Sequence, residues 1–218
     1  MKQLIKNSLF LKIYIILFIS GLLLHFVNEK GVIFLWINEH HSPLQDVIFK
    51  YGTFLGDGLF VLIIALILAF MNFGKSFLAL LTLAIGGGFA QLMKQVFFSN
   101  IVRPSKHFAD LDLNFVENVT VYSSHSFPSG HTATAFALFC MLSLMFNKSA
   151  LNIIFIFLSF LVAYSRIYLV QHFYIDVLIG SLVGVVSAVI LFLLIFNRQG
   201  FLASKLANSS VGSLFRTS

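Results

Sequence analysis

Charge is what this chain has least of: 10% of its 218 residues are Asp, Glu, Lys or Arg, while 59% are hydrophobic. A soluble domain of that length must meet water over its surface, so the shortage excludes one. With a mean hydropathy of +0.96, a multi-pass integral membrane protein is expected. Cysteine is nearly missing. Cys140 stands alone inside an apolar run, which excludes an internal disulfide and leaves a small buried hydrophobe. No cysteine pair or carboxylate cluster suited to a metal is present, so neither metal nor other cofactor is expected. Adjacent His40 and His41 point apart on a helix or strand, which suits a surface near headgroups better than a metal. The isoelectric point of about 9.6 would fit nucleic acid, but the basic residues follow membrane topology instead. No nucleic-acid partner is expected, and nothing calls for an obligatory protein partner.

What the chain does have is apolar runs of about 20 residues, enough to cross a bilayer. Six can be laid out: 13–27 (extending toward Leu9), 59–71 (beginning near 47–53), 77–98, 130–146, 151–169 and 173–196. The expected fold is all-α, a six-transmembrane-helix bundle over residues 1–200. Segment 28–50 reads as an interfacial helix or hairpin, 99–127 as a long polar loop, and 201–218 as a loose cytoplasmic tail. Gly86-Gly87-Gly88 marks close helix–helix contact, with a hinge as the alternative. Lys2, Lys6 and Lys12 look like a signal n-region, but no small-residue cleavage site follows, so an uncleaved anchor is expected.

Acids are absent from one side. With both termini cytoplasmic, the inner segments hold Lys2, Lys6, Lys12, Lys75, Lys148, Arg198, Lys205 and Arg216 and no acid, while all eight acids fall outside. The positive-inside rule counts only Lys and Arg; six lie outside, and three of those are Lys94, Arg103 and Arg166, which belong to motifs. The site is therefore expected to be extracytoplasmic. Short loops without an organelle signal point to a bacterial cytoplasmic (inner) membrane.

Ionisable groups near lipid cost about 2.5–3.5 kcal/mol each at a helix centre, so their retention points to use. Pro128-Ser129-Gly130-His131 opens the fourth run, where unpaired first-turn N–H groups favour an anion. Gly130 lets backbone approach and Ser129 adds a hydroxyl. Arg103 and Arg166 can grip phosphate oxygens bidentately, with Lys94 a point charge. His172 and Asp176 are four apart, on one helical face if the sixth helix starts near them. Asp176 can then hold the proton on one ring nitrogen while the other attacks phosphorus, and His131 remains as acid for the leaving group. Ser165 either binds substrate or bridges backbone groups. His125 reads as a loop histidine, and His107, Lys106, Asp110 and Asp112 as possible shapers of headgroup choice.

These residues resemble the type 2 phosphatidic acid phosphatase (PAP2) superfamily, with its Lys-x6-Arg-Pro, Pro-Ser-Gly-His and Ser-Arg-x5-His-x3-Asp pattern. Pro128 to His131 match the second motif, and Ser165, Arg166, His172 and Asp176 the third. The first departs: Arg103-Pro104 is present, but eight residues separate it from Lys94. Two extra residues turn a continuous helix by about 200°, so a break or bulge around residues 98–102 is expected to restore the aim of Lys94. The resemblance implies a metal-independent lipid phosphatase with a phosphohistidine on His172. Lys94, Arg103, Ser129, Gly130 and Arg166 would bind phosphate, His131 would be the acid, and Asp176 would orient His172. Implied substrates include phosphatidic acid, phosphatidylglycerophosphate, undecaprenyl diphosphate and lipid A phosphate. Three alternatives stand beside it: a phosphotransferase using the same histidine, a vanadate-dependent haloperoxidase, which six apolar spans oppose, and a non-enzymatic transporter. Against the last, the clusters lie at helix ends rather than at the midplane.

Overall fold

The computed structural model describes residues 2–196 and 209–211. The expected tail at 201–218 lies outside them except for 209–211, as do Arg198, Lys205 and Arg216. The described residues form an all-helical bundle. A short α1 (Lys2–Asn7) leads into α2 (Leu9–Val27), and segment 28–50 holds two short helices, α3 (Val32–Glu39) and α4 (Pro43–Gly52), that pack on another helix rather than closing on each other as a hairpin. A 3-10 turn, Thr53–Gly56, joins α4 to α5 (Gly58–Met71). Then come α6 (Phe73–Phe97), a four-residue α7 (Pro104–His107), α8 (Gly130–Phe146), α9 (Ser149–Tyr168) and α10 (Tyr174–Phe196).

Of the six expected spans, α2, α6, α9 and α10 are long and apolar enough to cross a membrane. The second is not one straight rod: Pro43–Gly56 and Gly58–Met71 meet at 62° and make a fifth crossing if the pair is counted as one. The fourth, α8, has 17 residues and is shorter than the rest. Its position explains its composition. Every residue from Thr132 to Leu144 is buried, so α8 is apolar on all sides because protein surrounds it on all sides. By contrast α2 buries a stripe of Phe10, Leu11, Tyr14 and Gly21 and leaves Ile16, Leu23 and Phe26 exposed, as a lipid-facing helix does.

Helices α8 and α10 lie backbone to backbone. A Cβ at Gly180 would sit 2.6 Å from the Ser129 carbonyl oxygen, and one at Gly184 would fall within 2.9 Å of the Ala137 nitrogen; only glycine permits that approach. Two of the three glycines in α6 serve contact too, Gly86 against Ala137 and Gly87 against Thr134. There the helix opens into a π turn over Leu83–Gly87.

The long loop is tied down rather than loose. Asn38 and Asn114 exchange three hydrogen bonds of 2.8–2.9 Å between side chains and backbone. Lys50 donates to the Glu117 carbonyl at 2.8 Å, and Gln171 Nε2 to that of Thr120 at 2.9 Å. These bonds satisfy loop backbone that would otherwise need water, and they hold residues 123–126 over one end of the bundle.

Candidate active site

The spacing of the third motif follows from how α9 ends and α10 begins. Helix α9 finishes in a Schellman turn: Val170 N–H bonds the Ile167 carbonyl and Gln171 N–H that of Arg166, both at 3.1 Å. His172 N–H reaches the same Arg166 carbonyl at 3.1 Å. The turn sets Val170 at φ +59, the left-handed position usually given to glycine, which a β-branched residue occupies under strain. After it, Asp176 sits in the first turn of α10, and its Oδ2 accepts the Phe173 N–H at 2.9 Å, half of a capping box. Thus His172 and Asp176 do not share a helical face, because α10 starts at Tyr174. The turn and the cap bring them together instead, with Nδ1 of His172 3.5 Å from Oδ2 of Asp176. That oxygen also accepts the Ser126 hydroxyl, and His172 Nδ1 makes no closed hydrogen bond.

The second motif approaches from α8. Ser129 caps its start, with its N–H bonded to the Asp176 carbonyl at 2.9 Å. The Ser129 hydroxyl accepts from Thr132 at 2.9 Å, which leaves its own proton free to donate. Gly130 and His131 stand in the first turn, whose N–H groups have no intrahelical partner. Arg166, near the end of α9, donates from Nη1 to Thr53 Oγ1 at 2.9 Å, while its buried Nε has no partner. A buried guanidinium N–H without a partner is free to donate to an anion.

Arg103 is more committed than its sequence position implies. Nε donates to the Ser124 carbonyl at 2.8 Å, Nη1 to both the carbonyl and the side chain of Gln171 at 2.9 Å, and Nη2 to the His125 carbonyl at 3.4 Å. One Nη2 proton remains, so a bidentate grip on phosphate is not open to it in this arrangement. Burial works against its charge, while Asp176 and Tyr122 favour it. Pro104 follows as the first residue of α7, fixing the turn away from the site.

Lys94 lies in a second π turn, Met93–Phe97, closed by Phe98 N–H on the Met93 carbonyl at 3.1 Å. A π turn holds about one residue more than an α turn, and helix α6 then stops at Phe97. The break falls at residue 98, where it is expected, and the π turn begins earlier. Lys94 is buried and within electrostatic reach of Arg103, Arg166, Asp176, His131 and His172. Ser165 is turned away: its hydroxyl donates to the Val162 carbonyl within its own helix at 2.7 Å. His125 stays in the loop, beside Ser124. His40 bonds the Trp36 carbonyl and His41 pairs with Asp46, so the two neighbours diverge.

Sequence reasoning missed four residues here. Gln171 clamps Arg103, Ser126 holds Asp176, Thr53 meets Arg166, and Asp57 Oδ2 stands 3.8 Å from His131 Nε2. Gln171 lies inside the third motif and Ser126 two residues before the second; Thr53 and Asp57 flank a corner with no motif at all.

Known proteins resemble this chain in sequence and in fold. The profile described as the PAP2 superfamily matches residues 59–200. A probable sphingosine-1-phosphate phosphatase of Dictyostelium discoideum is 30% identical over 186 residues, 78% of this chain but 43% of that protein. A lipid A 4'-phosphatase of Bacteroides thetaiotaomicron is 27% identical over 156 residues, 69% of each chain. The crystal structure of Aquifex aeolicus LpxE superposes with a TM-score of 0.65 at 30% identity, over 75% of this chain and 94% of that one. A transmembrane PAP2 type phosphatidylglycerolphosphate phosphatase from Bacillus subtilis shares the fold, with a TM-score of 0.56 at 23% identity, over 88% and 96%.

Proposed function

Since the chain belongs to the PAP2 superfamily of membrane lipid phosphatases, we propose that it hydrolyses a lipid phosphomonoester or diphosphate at the extracytoplasmic face, through a phosphohistidine on His172. The observation that carries this is the meeting of His172 and Asp176 at 3.5 Å, with Arg103 bonded to the neighbouring Gln171 carbonyl, the start of α8 bonded to the Asp176 carbonyl through Ser129, and Arg166 donating to Thr53. Lys75 and Lys148 stand at the opposite helix ends, the side that a positive-inside count assigns to the cytoplasm. Two relatives named for phosphomonoester lipids, sphingosine-1-phosphate and lipid A 4'-phosphate, favour the monoester.

In this reading the phosphoryl oxygens lie against Arg166 Nε, Lys94, the free Arg103 proton, Ser129 and the first amides of α8. His172 attacks in line, His131 protonates the departing lipid oxygen, and water then cleaves the phosphohistidine. No step requires a metal. The test is phosphate release by detergent-solubilised protein across a panel of lipid phosphates, with His172→Ala as control. Release from at least one lipid, lost in the variant, is expected; silence across the panel, or a fully active variant, refutes the reading.

In this reading the substrate's tail lies beside His131. An open cavity of about 390 Å³ beside His131 is lined by Gly56, Gly58, Gly87, Gly88, Gln91 and Gly130. A Cβ on Gly88 meets nothing within 4 Å, so the side chain of Gly88→Leu starts in open space and narrows the cleft. Its expected effect is a fall of about tenfold or more in kcat/KM for a long-chain lipid phosphate, from a few lost apolar contacts, with a water-soluble phosphomonoester little affected. Parallel assays of the two substrates check it.

Proton affinity gives another expectation. Burial, then the charges of Arg103, Arg166 and Lys94, hold the His172 imidazole well below its ordinary 6.5. A nucleophile must be unprotonated, so the acid limb of kcat/KM assigned to His172 is expected below pH 6.5 rather than at it. The same shift predicts stability that declines as pH falls below 6.5, because there the unfolded chain binds a proton the folded one refuses. A kcat/KM profile and a melting series between pH 4.5 and about 8 read both.

A further inference from the structure

One carboxylate at the rim of the site has no part in the mechanism above. Asp57 stands at the corner between the Thr53–Gly56 turn and α5. Its Oδ1 accepts the Leu59 N–H at 2.8 Å and caps that helix, while its Oδ2 lies 3.8 Å from His131 Nε2. The corner is pinned on both sides. Thr53 at its start binds Arg166 at 2.9 Å, and a Cβ on Gly56 would strike the His131 carbonyl oxygen at 2.6 Å. The carboxylate is therefore delivered to the imidazole by a rigid turn rather than by a wandering side chain.

The need for it follows from the neighbours. Arg166, from α9, is held at the same corner by its bond to Thr53, so a protonated His131 stands close to a second positive charge, and like charges oppose one another. An acid must nonetheless hold its proton when the substrate arrives, and an opposite charge within about 4–6 Å favours the charged form. We propose that Asp57 is the positioning residue of the general acid: its carboxylate keeps the Nε2 proton of His131 in place until the leaving oxygen takes it. At 3.8 Å the pair is electrostatic rather than a closed hydrogen bond, so the proton stays transferable.

The step balances. A ring nitrogen of His172 forms the bond to phosphorus, the P–O bond to the lipid breaks, and its electron pair stays on oxygen, which takes the His131 proton. His131 is left neutral. In the second step neutral His131 removes a proton from the attacking water, the N–P bond breaks, and the imidazolium facing Asp57 is restored. This inference rests on His131 being the acid.

Leaving-group dependence tests it. An alkyl leaving group, as in a short-chain phosphatidic acid, needs the proton; p-nitrophenol departs as a stable anion and does not. Asp57→Asn is expected to slow the alkyl phosphate by about 10- to 100-fold, a fraction of what general acid catalysis supplies, and p-nitrophenyl phosphate by less than about threefold. Asp57→Ser keeps a side-chain oxygen for the Leu59 N–H, so it separates the helix cap from the charge and is expected to show the same selective loss. In a His131→Ala background Asp57→Asn is expected to add less than about twofold. Equal slowing of both substrates, no slowing, or full additivity with His131→Ala overturns the proposal while leaving His172-dependent turnover intact. Wild-type turnover indifferent to His172 overturns the phosphohistidine reading itself.

Discussion

His172→Ala is expected to remove at least about 10⁴-fold of turnover, because deleting a covalent nucleophile removes the reaction path rather than one contact along it. The variant is also expected to fold and insert. The imidazole is buried, yet its Nδ1 has no closed hydrogen bond, so truncation breaks no closed bond at that nitrogen. The Schellman turn that places residue 172 is made of backbone bonds to Arg166, which alanine keeps. Phosphate release beside a helical circular dichroism spectrum checks both halves; activity retained within tenfold, with the fold intact, removes His172 from the chemistry.

Asp176→Asn is expected to cost about 10²- to 10⁴-fold in kcat with a smaller effect on folding, by the logic of a carboxylate that steadies a reacting imidazole. The asparagine oxygen can still accept from Ser126 and Phe173, as Asp176 Oδ2 does, so the cap on α10 survives. What disappears is the negative charge 3.5 Å from His172 Nδ1, which steadies the positive charge that develops on the ring as it attacks. Asp176→Ala removes the cap as well and is expected to lower the melting temperature further, since loss of a helix cap costs about 0.5–2 kcal/mol. A kcat loss in Asp176→Ala without one in Asp176→Asn would assign the carboxylate to folding alone.

Much of the candidate site was legible because it is built from side chains that membrane segments seldom keep. Arg103, His131, Arg166, His172 and Asp176 are conspicuous against apolar surroundings, and the start of α8 fell at Gly130 as its helix-opening signal required. Other parts were hidden for identifiable reasons. The bend at Asp57 is marked only by Gly56-Asp57-Gly58, a turn signal set within a largely apolar run, and residues 47–71 read as one span. Val170 gives no sign of a left-handed turn, since glycine is the usual mark of one. Without that turn in view, the spacing of His172 and Asp176 suggested a shared helical face rather than a capping box. The π turn at Lys94 likewise carries no glycine or proline to mark it in the sequence.

By itself the sequence determined that the chain is membrane-embedded and all-helical, and which ionisable groups it keeps beside apolar runs, because solvation penalties act residue by residue. Only tertiary structure decided how those groups divide their hydrogen bonds. Arg103 is spent largely on Gln171 and the loop carbonyls, Arg166 keeps a free Nε, and Ser165 turns into its own helix. Asp57 enters beside His131 only because a turn distant in sequence folds against α8 and α9. Donors and acceptors are shared among whatever neighbours the fold brings within about 3 Å, and that sharing is a property of packing that no single segment encodes.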